Sequence, residues 1–415
     1  MYMSFPRDHV PRYSDFVING FLDETLREGP ERCLFSVSTQ NKLPLVRSIL
    51  KSGIKDIIFG SGPEDPSDIA KVVETLEGEG LLTDQKFSFI LLLNCFRPLM
   101  PQFASIPAEL RKFITISFGM ITHDSETLLF ERTVAEFRAM GFTSFRVSLL
   151  NNFGSTIDEK TFSAITRQID RSVACGIDVV RINDSLGTIY PEAMAILAAN
   201  LRHDYPDVNF CLHAHNDRGF GLQNALASLY HGFNLIEGGF ASFGNRSGLP
   251  SIELLEMIFR EKNITISNGA LDTESVNQTA RLAEQTFMAL PDLYRPVSGM
   301  LVDFENMGAT NIPDYLGASG ASNYFLNRIG LHELSMEKIF RELGLTDPKQ
   351  IKQAVADFGA EIRKDMEQIT VRKQFEFQAL RRMTESFYDD DVFFTQRVRA
   401  RAQDYLACQM EAKAA

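Results

Sequence analysis

FVINGFLDETLREG, Phe16 to Gly29, is an apolar run that passes without a break into a charged segment. Its first seven residues have strand composition, and the charged segment lacks the GxGxxG that a doubly wound dinucleotide-binding sheet places after its first strand. Seven further runs of the same kind lie downstream: DIIFG (Asp56 to Gly60), FSFILLL (Phe87 to Leu93), FITISF (Phe113 to Phe118), FRVSLL (Phe145 to Leu150), VVRIN (Val179 to Asn183), FCLHAH (Phe210 to His215) and LIEGGF (Leu235 to Phe240). Stretches with helical periodicity separate them, among them Glu126 to Met140, Glu159 to Cys175 and Pro191 to Arg202. Strand and helix in alternation imply a parallel sheet. Eight such units over about 260 residues match the size of a (β/α)8 barrel. The expected fold class is therefore α/β, a (β/α)8 TIM barrel with a C-terminal helical appendage.

After Lys262 the strand signal disappears and helical segments follow: Thr273 to Ala289, Ser335 to Leu343, Pro348 to Met366 and Phe393 to Ala412. The expected division is a barrel catalytic domain over residues 1–265 and a helical C-terminal region over 266–415. Within the second part, RPVSGMLVDFENMGATNIPDYLGASGAS (Arg295 to Ser322) is rich in Gly, Ser, Asn and Pro and reads as a lid-like loop segment.

A chain of 415 residues exceeds what one core usually supports, and 44% apolar residues are ample for packing. The net charge of -12 opposes binding to a phosphate backbone, so nucleic acid is not expected as a partner. A mixed basic stretch near Arg397 to Arg401 leaves room for an anionic small molecule such as coenzyme A. Cys33, Cys95, Cys175, Cys211 and Cys408 are odd in number, scattered and without CxxC spacing, which fits a reducing cytoplasm better than a disulfide framework. The N-terminus has no apolar core of a signal, and no run is long enough to span a bilayer. The expectation is a cytoplasmic protein with no membrane partner.

In a strand, side chains at i and i+2 share a face, so His213 and His215 of CLHAHND emerge together from the seventh strand. Near the C-terminal end of a barrel strand that face looks into the mouth, where two imidazoles are good ligands for one cation; a hydrogen-bonded pair of core histidines is the plainer alternative. The first strand leads to Glu28, which can complete a set of two histidines and one carboxylate with positions open for water and a chelating substrate. Asp23 is a second carboxylate that either caps structure or stands behind the ligands. Arg27 keeps its proton and is a fixed donor to an enolate or carboxylate oxygen, unless it only pairs with Asp23 or Glu24. NDSLG (Asn183 to Gly187) offers the Ser185 hydroxyl and nearby N–H groups to a substrate carboxylate, or Ser185 or Asp184 is a plain helix cap. FGNRSG (Phe243 to Gly248) is compatible with an ordinary strand-to-helix turn.

DETLREG, NDSLG, HAHND and GNRSG stand in the order and strand positions of the DRE-TIM metallolyases, and the chain resembles above all their homocitrate and isopropylmalate synthase branch. The resemblance covers roughly Val17 to Ile258. It implies one divalent metal ion (Mg, Mn or Zn) on Glu28, His213 and His215, with Arg27 polarising the 2-oxo group. It also implies Asn216 as a supporting residue and the Ser185 hydroxyl as a carboxylate binder, with Asp184 behind them. Glu rather than Asp at the first ligand is similar to homocitrate synthases. The implied reaction is a Claisen-type condensation of an acyl-CoA, acetyl-CoA for preference, with a 2-oxo acid, in a homodimer.

Four departures bear on that reading. LREGPER lacks the Gln usual after the first ligand; Ile57, Ile58, Phe59 and Gly60 replace an I-E-V-G strand and lose its carboxylate; GER becomes Gly244, Asn245, Arg246; and ENMGAT (Glu305 to Thr310) has no histidine where the condensing enzymes carry HxxGIH. The general base is thus unassigned, with His9, His123, His203, His231 and His332 remaining, none in a matching motif. The alternative is a lyase or aldolase running the same chemistry in the cleaving direction on a 2-hydroxy or 4-hydroxy-2-oxo acid. A third reading is a non-catalytic barrel that acts as a binding subunit.

Overall fold

The computed structural model describes residues 13–62, 65–93, 97–119, 128–151, 157–302, 304–306, 323–325, 327 and 333–414. Eight parallel strands form its centre: β1 Gly20–Asp23, β2 Asp56–Gly60, β3 Lys86–Leu92, β4 Ile114–Gly119, β5 Ser144–Asn151, β6 Val179–Asp184, β7 Asn209–Ala214 and β8 Leu235–Gly238. Backbone ladders run from β7 through β6, β5, β4, β3, β2 and β1 to β8, a nearly closed TIM barrel. The seam between β7 and β8 is bridged by side chains. Asn234 accepts from the Phe210 N–H at 3.0 Å and donates to Asn209 at 2.7 Å. The expected first strand is divided at Asn19, because Val17–Ile18 pairs with Thr265–Ile266 and only Gly20–Asp23 enters the barrel. Strand pairing thus does continue past Lys262, but in pieces of two or three residues, including the parallel pair Phe304–Asn306 and Asn323–Phe325.

Alternation along the strands sorts residues into two layers. Phe87, Phe89, Ile116, Phe118, Val147, Val180 and Phe210 face the helices, where Phe103 meets Phe89, Phe137 and Phe142 edge to face at 5.1 to 6.1 Å. Each buried Phe contributes roughly 1.5–3 kcal/mol by removal from water. The inward set is different: Leu22, Ile58, Ile90, Cys211 and Leu235 make a small apolar cluster. On the same inward register stand charged residues, Asp56, Arg146, Arg181 and Glu237, all buried but Asp56.

Helices begin where short polar side chains accept the first free N–H groups. Ser38 caps helix Thr39–Lys51, Asp158 caps Glu159–Ala174, Ser251 caps Ile252–Lys262 and Asp272 caps Thr273–Thr286. The described residues fall into two compact units that divide between Pro291 and Asp292. In the second, Pro348–Asp389 runs 42 residues, well past the expected end at Met366. It meets no Gly or Pro beyond Gly359, and spaced pairs such as Arg381 with Glu385 support its exposed face. Met336, Ile351 and Val355 form this unit's own core. The expected lid-like segment lies largely outside the described residues, as do His9, His123 and His332. Among the described residues no helix is long and apolar enough to cross a membrane.

Candidate metal centre at the barrel mouth

β1 ends at Asp23, and Glu28 is carried not by the strand but by the helix α1, Thr25–Arg32, that follows it. Asp23 sets the turn, accepting from the Thr25 N–H at 3.1 Å and from the Thr25 hydroxyl, which itself accepts from the Phe240 N–H at 2.8 Å. Once α1 has made its first turn, Glu28 Oε1 lies 3.5 Å from His213 Nε2 and 3.8 Å from His215 Nε2. The two imidazole nitrogens are 3.0 Å apart. All three residues are buried, and their ligand atoms lie within 4.8 Å of one another.

Protonation favours a cation here. Burial first, then the neighbouring Arg181, holds the His213 pKa well below the usual histidine range, and burial also lowers that of His215. For Glu28 burial acts in the opposite sense, but Arg27, both histidines and the Asn245 N–H outweigh it and hold the carboxyl below its ordinary value. Two neutral imidazoles and one carboxylate are the forms a divalent ion requires. The donor set therefore fits such an ion. Glu28 Oε2 is steadied by the Asn245 N–H at 2.6 Å, so the GNRSG segment closes on the carboxylate.

Behind the histidines stands a charge network. Arg181 of β6, wholly buried, donates to Glu237 of β8 at 2.6 and 2.8 Å and to Glu24. Glu237 also meets His213 Nδ1. His213 Nδ1 is thus engaged on the inner side, by the Glu237 carboxylate and by Arg181 Nη2 at 2.7 Å, which leaves Nε2 as the ring atom that faces Glu28 and His215. Glu24, His213 and Glu237 also come within ligand distance of one another, but Arg181 sits among them and makes this an ion-pair cluster. Arg181, Glu24 and Glu237 were not among the residues expected from the sequence. The available signal was a charge at an inward position of an apolar strand, which demands a buried counter-charge.

The other expected residues take these places. Arg27 reaches Glu24 at 3.5 Å, Glu31 at 3.2 Å and Glu28, but not Asp23, and its buried Nε has no partner among the described residues. Asp184 accepts from the Thr188 and Ile189 N–H groups at 3.0 and 3.1 Å and so caps a turn, while the next helix starts only at Pro191. Ser185 is half-buried, and its carbonyl accepts from Arg246 at 2.6 Å. Asn216 accepts from the Gly221 N–H at 3.0 Å at the start of the helix after β7.

The HMGL-like family model matches residues 131–283. The chain is 28% identical to homocitrate synthase AksA of Methanothermobacter thermautotrophicus over 297 residues, covering 68% of this chain and 72% of that protein. It is 24% identical to a 4-hydroxy-2-oxovalerate aldolase of Serratia proteamaculans over 330 residues, 78% of this chain and 91% of the aldolase. Several other curated relatives are longer, the match spanning only 51% to 62% of their length. Among solved structures, an HMG-CoA lyase of Bacillus subtilis superposes with a TM-score of 0.55 at 17% identity, over 66% of this chain and 95% of the lyase. Its motifs stand in order on a parallel eight-stranded barrel, residues 131–283 form a domain that matches the HMGL-like model, and synthases and an aldolase, all enzymes, are among its relatives.

Proposed function

We propose that the protein joins an acyl-CoA to a 2-oxo acid in a Claisen-type condensation with the help of one divalent cation held by Glu28, His213 and His215. The observation that carries this reading is the convergence of three buried ligand atoms, in metal-ready protonation states, beside Arg27. The family generally uses a divalent metal. When bound, such an ion supplies Lewis-acid polarisation of the oxo group and a template for its carboxylate. Arg27 is a fixed donor whose Nε, without a partner among the described residues, can take up charge developing on the oxo oxygen. Glu237 keeps the His213 ring in one orientation, and burial of the cluster excludes water from it. Ser185 and Asn216 complete the substrate side, and a homodimer is the working form. Exposed Phe375, Phe377, Leu380 and Met383 on Pro348–Asp389 support that last point.

The match to an aldolase over 91% of its length favours a second reading, in which the same residues stabilise the oxyanion formed on cleavage. A thiol assay separates the two. Free thiol is expected from acetyl-CoA only when both a 2-oxo acid and Mg²⁺ or Mn²⁺ are supplied. If a panel of 2-oxo acids releases none while a 4-hydroxy-2-oxo acid is cleaved, the condensation reading gives way to the lyase.

A further inference from the structure

Along the helix Pro348–Asp389, residues Ile362, Met366, Ile369, Lys373, Glu376, Leu380 and Met383 follow one another at alternating steps of four and three, the spacing of a coiled-coil seam. Ile351 and Val355 begin the same stripe upstream. There the helix Glu333–Glu342 covers it, with Met336 completing the small core and Ile362 and Met366 packed against its edge. Ten residues make a helix only about 15 Å long, so this cover runs out. From Ile369 onward the stripe is bare: Ile369 is 48% exposed, Leu380 57% and Met383 72%. Val371 and Phe375 lie on other faces and take no part in it. Midway, Lys373 and Glu376 interrupt the apolar positions with opposite charges, which meet within the helix. The helix thus carries an apolar seam with a charged centre, covered over its first half and open over its second.

We propose that the open half of the seam seats a second copy of this chain, the two helices running antiparallel about a two-fold axis between Lys373 and Glu376. The proposal rests on the homodimer reading and gives it a surface and a direction. About a two-fold axis, if residue i contacts residue j, then j contacts i. Lys373 accordingly faces the partner's Glu376, Ile369 the partner's Leu380 and Met366 the partner's Met383, so every layer is matched in kind. A parallel pair would set Lys373 on Lys373 and Glu376 on Glu376, like charges that oppose pairing. Apolar layers alone would leave direction and register open. The central charges fix both, as a polar residue in a coiled-coil core does.

The test is sedimentation of the full chain over a dilution series, with circular dichroism to confirm that each variant keeps its helices. Leu380→Glu places two carboxylates in the apolar layers of one dimer and is expected to raise its dissociation constant roughly 100-fold or more. Lys373→Glu and Glu376→Lys should each weaken the dimer by crowding four like charges at the axis, and the double swap should restore it. Direction is read by oxidation of chains in which the exposed Cys408 is replaced by Ser. Ile369→Cys mixed with Leu380→Cys should cross-link, whereas Ile369→Cys alone should not, because the two copies of residue 369 lie roughly 16 Å apart along the pair, beyond a disulfide's reach. A dimer as strong in Leu380→Glu as in the wild type, no rescue by the double swap, or cross-linking of Ile369→Cys alone overturns the antiparallel seam and leaves the homodimer reading to another surface. A wild-type chain that sediments as a monomer throughout overturns both.

Discussion

Arg27 makes ion pairs with Glu24, Glu28 and Glu31 while its Nε has no partner among the described residues, a division of labour that a planar fork permits and an ammonium does not. Arg27→Lys preserves the charge, and with it much of what those three carboxylates need. It removes the fixed donor. Turnover should therefore fall on the order of a hundredfold or more while metal content stays near wild type. Metal analysis of the same preparations, with His213→Ala as the variant expected to lose the ion, separates the two effects; wild-type turnover in the Arg27→Lys enzyme would confine Arg27 to charge pairing. At this scale the sequence was readable where spacing carries geometry. The i, i+2 relation of His213 and His215 puts both rings on one face, and Arg27 with Glu28 follows the first strand at the same end of the barrel, on α1. Glu24, Arg181 and Glu237 were not readable, because their meeting depends on which strands adjoin across the barrel, and nothing local to VVRIN or LIEGGF states that.

The helix α1 and the segment after β8 together position Glu28, and each is under steric constraint. After β8 the non-glycine residues Ala241, Ser242 and Arg246 take φ of 54°, 54° and 57°, a left-handed conformation that costs of order 1–3 kcal/mol each. The Ala241 N–H is tied to the buried Glu253 carboxylate at 3.1 Å, and Arg246 is tied to Asp217 at 2.7 Å. That strain aims the Asn245 N–H at Glu28, whereas the GNRSG motif by itself is compatible with an ordinary turn, because backbone angles are not written in five residues. On the other side, α1 lies against Phe287 so closely that a Cβ on Gly29 would strike the ring. Phe287 has little room to yield, since it packs on Phe243 at 5.2 Å and its carbonyl accepts from the Cys33 thiol at 3.2 Å. Gly29→Ala should push α1 outward and carry Glu28 with it. A loss of roughly 1–3 kcal/mol in unfolding free energy is expected, together with weaker metal binding. Denaturation and metal titration on this variant test it; unchanged metal affinity would show that α1 does not need this seat to place its carboxylate.

Across the whole molecule, the barrel was legible because outward Phe, Ile and Val recur at strand spacing, whereas the polar interior was not, since inward charges look like interruptions in those runs. The interior also makes stability depend on pH. Asp23 is fully buried, and burial pushes its carboxyl up to about 7 despite two hydrogen bonds from Thr25, with the charge of Glu237 adding to the rise. In the unfolded chain the same group titrates near 3.9, the ordinary value for Asp. Between roughly pH 4 and 7 the folded state thus holds a proton that the unfolded state has released, so unfolding free energy falls as pH rises through that window. Below it both states are protonated and the contribution is complete; above it both are ionised and the contribution is gone. The gap between the folded and unfolded values corresponds to about 4 kcal/mol at most. Asp23→Asn keeps an oxygen for Thr25 and cannot ionise, so it should follow the wild type at pH 5 and become the more stable of the two by pH 8. Urea unfolding of metal-free protein at pH 5, 6, 7 and 8 measures the difference directly. A gap between the two proteins that stays constant across the series would mean that Asp23 is already ionised in the folded barrel at pH 5, and that the network around Arg181 offsets its burial.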